Sequence, residues 1–418
     1  MNRLQWLNGV AFPRAAQLRQ GALLRATSLL AVGDVLAKVL AFGFYVLLAH
    51  LVAPGQYGIF RFGLTLGYLG SILAAAFSLT LMHYLASRAR ADAQPIGAVM
   101  TLSLIGSALG LFFALGAAPD GMTVVIGTAL MILGLSFSYT YLGINKGAQE
   151  FGKAAFYAAV SNIFQLLPVI VSALWFPQLV LAVAMASYGL SYFVTLFLFE
   201  WIKPQRLRLA LGSGNQKEYG AALRFAAPLI LSHGAYQTLF GMDLIWLALF
   251  APDTTVGYYA AAKALATAYA VIPNALYGVL MPKTAEERGN ASRHNLKLAL
   301  LIAVVSNLGL IVLFALTSPL LLNRLFGAGY EQAAPALLVI GIGMLFYALC
   351  MVLNAHATGL GTPQVQGMTM LCGLMAAVGV GPFLTMRYGM VGASGSLAFG
   401  TLVALSVGVV WSWRQSRQ

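Results

Sequence analysis

Apolar stretches of about 20 residues or more recur along this whole chain, and they constrain its fold more than any other feature. A helix needs about 20 consecutive apolar residues to cross a bilayer. Only 8% of the 418 residues are charged and the mean hydropathy is +0.83, whereas soluble domains carry about 25% charged residues. The stretches are rich in Gly, Ala, Leu and Val, and lack the ten-residue alternation of membrane barrels. The sequence therefore predicts an all-α integral membrane protein.

Twelve spans are predicted from these stretches, at residues 26–50, 57–84, 96–117, 122–143, 154–175, 178–201, 222–249, 255–281, 296–318, 332–354, 364–387 and 389–412. They divide the chain into an interfacial N-terminal segment (1–25), a first six-helix half (26–201), a cytoplasmic linker (202–221), a second six-helix half (222–412) and a cytoplasmic tail (413–418).

The Lys and Arg residues that give the chain its net charge of +13 are distributed as the positive-inside rule describes. With the N-terminus in the cytoplasm, 19 of the 24 Lys and Arg residues lie on the cytoplasmic side. The opposite side receives Arg324 and Arg387, and the remaining three lie within spans. We therefore predict that both termini are cytoplasmic, and the basic balance gives no reason to expect a nucleic-acid partner.

The two halves resemble each other in sequence at a nearly constant shift. Adding 199 relates Leu24-Arg25 to Leu223-Arg224, Ala49 to Ala248, Gly58 to Gly257, and Leu81-Met82 to Leu280-Met281. The shift becomes 209 for Asn145, Ala148 and Gly152, which match Asn354, Ala357 and Gly361, and a longer connection near residues 319–331 explains the increase. Because both halves start on the same side, the repeat predicts a pseudo-twofold axis along the membrane normal and a site between the halves.

Charged residues deep within spans are concentrated in the first two helices of each half. A charge at the centre of a span costs about 2.5–3.5 kcal/mol on insertion scales, so each needs a partner or a water-filled cavity. A central cavity lined by spans 1, 2, 7 and 8 accounts for all of them: Asp34, Lys38, Arg61, Asp243 and Lys263. With Arg25 and Arg224 at the cytoplasmic ends of spans 1 and 7, the path is net positive. It therefore favours an anionic substrate, for which a phosphate headgroup is the natural candidate.

Asp34, Asp243 and His233 are candidates for binding a coupling proton or Na+. Simpler explanations stay open: Asp34 and Lys38 can form a self-neutralising pair, Arg61 can reach the nearby interface, and a single His is often a packing residue. No zinc, phosphate-loop or nucleophile motif is present in the sequence. We therefore expect no metal, no cofactor, no catalytic residue and no enzymatic activity.

The turn after span 1, residues 53–60 (APGQYGIF), fits the pattern P-x-x-Y-G-x-F/Y. Two later segments are also distinctive: residues 325–333 (LFGAGYEQA) and the turn at 359–363 (GLGTP). All three resemble turns of bacterial polysaccharide (O-antigen type) flippases, in the multidrug/oligosaccharidyl-lipid/polysaccharide exporter superfamily. The resemblance implies a flippase that moves an undecaprenyl-pyrophosphate-linked oligosaccharide across the bacterial inner membrane by ion-coupled alternating access. It also implies that Lys38, Arg61 and Lys263 hold the pyrophosphate, with Arg25 and Arg224 at the mouth.

The resemblance further implies membrane lipids, a polysaccharide polymerase and its chain-length machinery as partners. A lipid II cargo is disfavoured because lipid II flippases of this superfamily have fourteen helices. Two alternatives remain: a multidrug exporter of the same superfamily, which would favour acidic cavity residues, and a non-transporting membrane scaffold for cell-envelope assembly.

Overall fold

The computed structural model describes residues 20–86, 96–117, 121–147, 150–202, 216–286, 290–362 and 364–415. In a bilayer core the backbone has no water to bond with, so apolar segments satisfy their own amide groups as helices. The helices of the first half are α1 (Gln20–Leu51), α2 (Pro54–Gly70), α3 (Ile72–Ala86), α4 (Ile96–Ala117), α5 (Met122–Gly147), α6 (Phe151–Trp175) and α7 (Val180–Ile202). Those of the second half are α8 (Gln216–Phe250), α9 (Asp253–Ala266), α10 (Val271–Glu286), α11 (Asn290–Phe326), α12 (Ala334–Gly359) and α13 (Gln364–Gln415).

These thirteen helices form twelve spans, as predicted. Helices α2 and α3 make one span that bends by 46° at Ser71, and α9 and α10 make one span through the 3-10 turn Thr267–Ala270. Helix α13 makes two, because its chain breaks at Gly389, where φ is 56° and ψ is −129°. By length and composition alone, seven stretches of the described residues qualify as spans, or eight with the bent pair. The other four of the twelve spans are the second part of α13, the shorter apolar parts of α1 and α4, and the more polar α8.

The boundaries of several helices differ from the prediction. Helix α11 continues to Phe326, so the extra residues of the second half lengthen a helix instead of the predicted long connection. Helix α1 already begins at Gln20, inside the segment predicted to be interfacial. Residues 1–19 and 203–215 lie outside the described residues. The domain boundaries at 25, 201, 221 and 412 therefore stay a prediction.

Helix starts in the two halves reproduce the sequence repeat. Helix α2 starts at Pro54 and α9 at Asp253, and α3 starts at Ile72 and α10 at Val271, both 199 residues apart. The shift of 209 relates the start of α7 at Val180 to the break at Gly389. The second span of each half is interrupted at the same place. The chain is thus an all-α membrane protein with two related six-span halves, as the repeat predicted.

The halves meet most closely between α2 and α9, at the end of the bundle that carries residues 52–58 and 251–257, which we call the turn end. A Cβ on Gly58 would overlap the carbonyl oxygen of Asp253, and a Cβ on Gly257 would overlap the carbonyl oxygen of Pro54. Adding 199 to 54 and 58 gives 253 and 257, so each contact is the image of the other. Such a reciprocal contact indicates a local twofold axis.

Candidate functional site: a cavity between the two halves

A cavity of about 560 Å³ lies between the halves near the middle of the helices. A smaller compartment of about 210 Å³ adjoins it and shares Tyr45, Arg61, Phe240, Lys263 and Thr267 with it. Helices α1 and α2 provide one wall, and α8, α9, the 3-10 turn and the start of α10 provide the other. Apolar side chains of α11, α12 and α13 complete the larger compartment: Phe314, Ile340, Met344 and Leu397. The cavity predicted between spans 1, 2, 7 and 8 is therefore present.

Helix α1 presents one continuous face to this cavity. Lys38, Ala41, Phe42 and Tyr45 all line it, at the spacing of i, i+3, i+4 and i+7 that shares a helix face. Lys38 is exposed and lies about 20 Å from the end of α1 at Leu51. Asp34 belongs to α1, but its side chain lies outside what the structure describes. Lys38 is thus placed where a charged headgroup within the cavity would contact it.

Arg61 on α2 enters both compartments of the cavity. Its guanidinium carbon lies 4.3 Å from the centroid of the Tyr45 ring, which is a cation–π contact. Its Nη1 atom is buried without a hydrogen-bond partner, and Arg61 makes no ion pair in the described parts of the chain. A buried guanidinium nitrogen with an unused donor is costly. An anion in the cavity would supply the missing acceptor.

Lys263 on α9 forms a buried ion pair with Asp243 on α8. The Lys263 Nζ lies 2.7 Å from Asp243 Oδ1 and also donates to the carbonyl oxygen of Phe240. Asp243 Oδ2 accepts a hydrogen bond from the Tyr259 hydroxyl at 2.6 Å, and Oδ1 accepts one from the Leu244 amide at 2.7 Å. The Asp243 side chain is fully buried, whereas 15% of the Lys263 side chain remains accessible. The lysine therefore faces the cavity and the carboxylate lies behind it.

Tyrosines hold the ring beneath Arg61 in place. The Tyr45 hydroxyl is 3.5 Å from that of Tyr188, and the Tyr68 hydroxyl is 3.1 Å from the same oxygen. On the opposite wall Tyr236 stacks on Tyr347 with ring centroids 5.7 Å apart. Tyr45, Tyr68 and Tyr236 line the cavity. Aromatic rings and hydroxyls therefore surround the charged groups.

An aromatic cluster separates the cavity from the turn end. Tyr57 and Tyr330 have ring centroids 6.2 Å apart, and Phe326 lies 5.8 Å from Tyr330. Phe42, which lines the cavity, contacts Phe326 at 6.1 Å. Beyond this cluster lies the close contact of α2 with α9. The structure is therefore closed at the turn end.

Some of the predicted site residues line the cavity or lie directly behind it, and others do not. Lys38, Arg61 and Lys263 line one cavity, and Asp243 lies directly behind Lys263. Arg224 is exposed on α8 and does not line the cavity, and the side chain of Arg25 lies outside the described residues. His233 is half-buried near Tyr236 and its Nε2 has no hydrogen-bond partner in the described structure, but it does not line either compartment.

Some cavity residues escaped the sequence analysis although helical spacing points to them. Tyr45 follows Lys38 by seven residues, and Thr65 and Tyr68 follow Arg61 by four and seven. Asn274 on α10 also lines the cavity. Other polar side chains of the spans, Asn162, Gln165 and Asn307, are buried within the halves, where Asn162 donates to the Ala37 carbonyl at 2.8 Å.

Solved structures show which class of protein has this fold. The chain is similar to an inward-facing multidrug resistance MATE family transporter of the MOP superfamily, with a TM-score of 0.67 and 18% identity, covering 91% of this chain and 94% of that one. It is similar to the lipid II flippase MurJ in an inward closed conformation, with a TM-score of 0.67 and 15% identity over 92% and 87%. A MOP superfamily transporter from Pyrococcus furiosus, described as having a binding pocket of reverse polarity, gives 0.61 and 17% over 94% of both chains.

The chain therefore has the fold of these MOP superfamily proteins and is a multi-pass membrane protein with a cavity between its two halves. Residues 23–287 match the model of the family described as polysaccharide biosynthesis protein, and the chain belongs to this family. A search of the curated proteins gives no significant match. The resemblance to polysaccharide flippases predicted from the three turns is confirmed.

Proposed function

We propose that this protein flips an undecaprenyl-pyrophosphate-linked oligosaccharide from the cytoplasmic to the periplasmic leaflet of the bacterial inner membrane. The glycan would be a repeat unit of O-antigen, exopolysaccharide or capsule. The observation that carries the proposal is the buried Nη1 of Arg61, which lacks an acceptor inside a cavity that also exposes Lys38 and Lys263. A pyrophosphate offers several acceptor oxygens and negative charge to these three groups.

The expected mechanism is ion-coupled alternating access. The distribution of Lys and Arg favours the turn end as the periplasmic end. The closed contact between α2 and α9 would then belong to a state that loads from the cytoplasm. The pyrophosphate and sugars would enter the cavity while the polyprenyl chain stays in lipid, and the halves would then rock to open the turn end.

Export of the glycan in a strain that lacks its own flippase tests the proposal. We expect Arg61→Ala, Lys38→Ala and Lys263→Ala to reduce export at unchanged protein level in the membrane. Loss of a hydrogen bond to a charged group costs about 1.5–3 kcal/mol, or roughly 10- to 150-fold in headgroup affinity. Lys297→Ala is the matched control, because Lys297 is exposed on α11 and does not line the cavity. Full export by all three cavity variants would contradict a headgroup site here. Failure of the wild type to restore export would favour a non-transporting scaffold.

A multidrug exporter is the second candidate because the fold matches that of a multidrug resistance transporter. A cationic drug would need an accessible carboxylate, whereas Asp243 is fully buried behind Lys263. We therefore expect no efflux of a cationic dye such as ethidium. Efflux that depends on Asp243 would favour the multidrug exporter.

A further inference from the structure

The smaller compartment of the cavity has polar side chains of its own. Thr65, Tyr68 and Gln237 line it and do not line the larger compartment, whereas Arg61 and Lys263 line both. At roughly 30 Å³ per water molecule, its 210 Å³ equals the space of about seven waters, which is room for one sugar ring and not for a chain of several. The two cations therefore stand where the compartments meet, and the neutral polar groups lie on one side of them.

Gln237 on α8 brings an unused amide to this compartment. Its side chain is half-buried and makes no hydrogen bond with the part of the chain that the structure describes. A carboxamide offers one acceptor oxygen and two donor hydrogens, and a hydroxyl, which both donates and accepts, can pair with either end. Gly241, one turn further along α8, leaves the adjoining space open, since a Cβ there would lie 3.0 Å from Thr65 Cγ2. The compartment therefore suits a neutral ligand that carries hydroxyl groups.

Gln237 and Lys38 occupy equivalent positions in the two halves. The repeat shift of 199 relates one to the other, and both face the cavity, Lys38 from α1 and Gln237 from α8. Because a pseudo-twofold axis relates the halves, the two side chains lie on opposite sides of that axis. Lys38 presents a cation to the larger compartment, whereas Gln237 presents a neutral amide to the smaller one. The cavity is therefore basic at one of these two positions and neutral at the other.

We infer that the smaller compartment binds the sugar attached directly to the pyrophosphate, and that Gln237 selects this sugar through hydrogen bonds to its hydroxyl groups. The pyrophosphate lies against Arg61 and Lys263, on the side of the sugar that faces Lys38. Sugars further along the glycan lie outside this compartment, because it has room for one ring. The inference rests on the proposed function and adds the residue that distinguishes one lipid-linked glycan from another.

Binding of capped farnesyl pyrophosphates to the purified full-length protein in detergent tests the inference. The terminal phosphate carries glucose, galactose, N-acetylglucosamine or N-acetylgalactosamine, or a methyl group in the sugar-free probe, so that all five probes have the same charge. The wild type is expected to bind at least one sugar probe about 2- to 12-fold more tightly than the methyl probe, the net effect of one neutral hydrogen bond. Gln237→Met should lose this preference and keep its affinity for the methyl probe. Lys38→Ala, at the equivalent position, should weaken the binding of all five probes by a similar factor.

The wild-type measurement decides the matter even if Gln237→Met fails to fold. Wild-type protein that binds the methyl probe as tightly as all four sugar probes would overturn the sugar site and leave the proposed flippase function standing. A sugar preference that persists in a folded Gln237→Met protein would overturn the assignment to Gln237. Absence of any probe binding to the wild type would count against the inference and the headgroup site together.

Discussion

Gly58 and Gly257 face each other across the boundary between the two halves. They occupy the same position in the sequence repeat, and each lacks space for a Cβ because the backbone of the other half is in the way. The neighbouring Gly55 is different, since a Cβ built there would lie 3.5 Å from the Cβ of Asp253, an ordinary contact. The close contact between α2 and α9 at the turn end is therefore made by backbone atoms, and side chains lie only beside it.

A disulfide between residues 55 and 253 should lock the turn end. The Cβ separation of 3.5 Å lies within the range of about 3.5–4.5 Å found in disulfides. In a background with Cys350 and Cys372 replaced by Ala, we expect Gly55→Cys with Asp253→Cys to cross-link under oxidation and to lose glycan export. Dithiothreitol should restore export, and each single cysteine should export normally. A quantitative cross-link with unimpaired export would show that the turn end does not open during transport.

Gly58→Ala and Gly257→Ala should weaken the closed turn end. Overpacking typically costs about 1–3 kcal/mol, so the closed arrangement should be roughly 5- to 150-fold less populated. The 55–253 cross-linking yield, measured in each background, reports this population. Gly309→Ala is the control, because nothing lies within 4 Å of a Cβ at that position. Equal yields in the three backgrounds would mean that the close approach is not required.

Lys263→Met should destabilise the protein more than the double variant Asp243→Asn with Lys263→Met. The single change leaves a buried carboxylate without its counter-charge, and breaking such a pair costs about 3–5 kcal/mol. The double change removes both charges and should recover most of that loss. Thermal unfolding in detergent, followed as Tm for wild type, both single variants and the double variant, gives the coupling. Additive losses would indicate that the pair contributes no coupling to stability.

Gly389→Ala should lower Tm, whereas Gly379→Ala should not. The backbone of Gly389 has φ 56° and ψ −129°, a conformation that costs a residue with a Cβ about 1–3 kcal/mol. Gly379 is helical, exposed and free of neighbours within 4 Å, so alanine there is neutral or stabilising by up to about 1 kcal/mol. A Gly389→Ala protein with the wild-type Tm would mean that α13 is continuous.

Hydropathy and the repeat predicted the twelve spans and the two halves, because both depend on residue types along the chain. They did not predict the breaks at Ser71 and at residues 267–270, since the residues on both sides are similarly apolar. The repeat identified Gly58 and Gly257 as equivalent. Their contact could not be predicted in the same way. It depends on the position of the twofold axis, which the equivalence of two residues does not determine.

The candidate site was predicted in its charges but not in all of its pairings. Helical spacing paired Asp34 with Lys38 within α1, and the same rule cannot pair Asp243 with Lys263 because they lie on different helices. Their 2.7 Å contact follows from the packing of α8 against α9. Arg224 was predicted to belong to the site because its position in the repeat matches Arg25. Its side chain is exposed and does not line the cavity.

The interruption in the second span of each half would let the two parts of that span turn relative to each other. Helix α2 has 17 residues from Pro54 to Gly70, so it forms an arm of about 25 Å that ends at the bend at Ser71. A rotation of about 10° at this joint would carry the far end of the arm by about 4 Å, roughly the reach of one side chain. Because α9 has its own joint at the same place, small turns at two pivots would separate the tips of both arms without unwinding either helix.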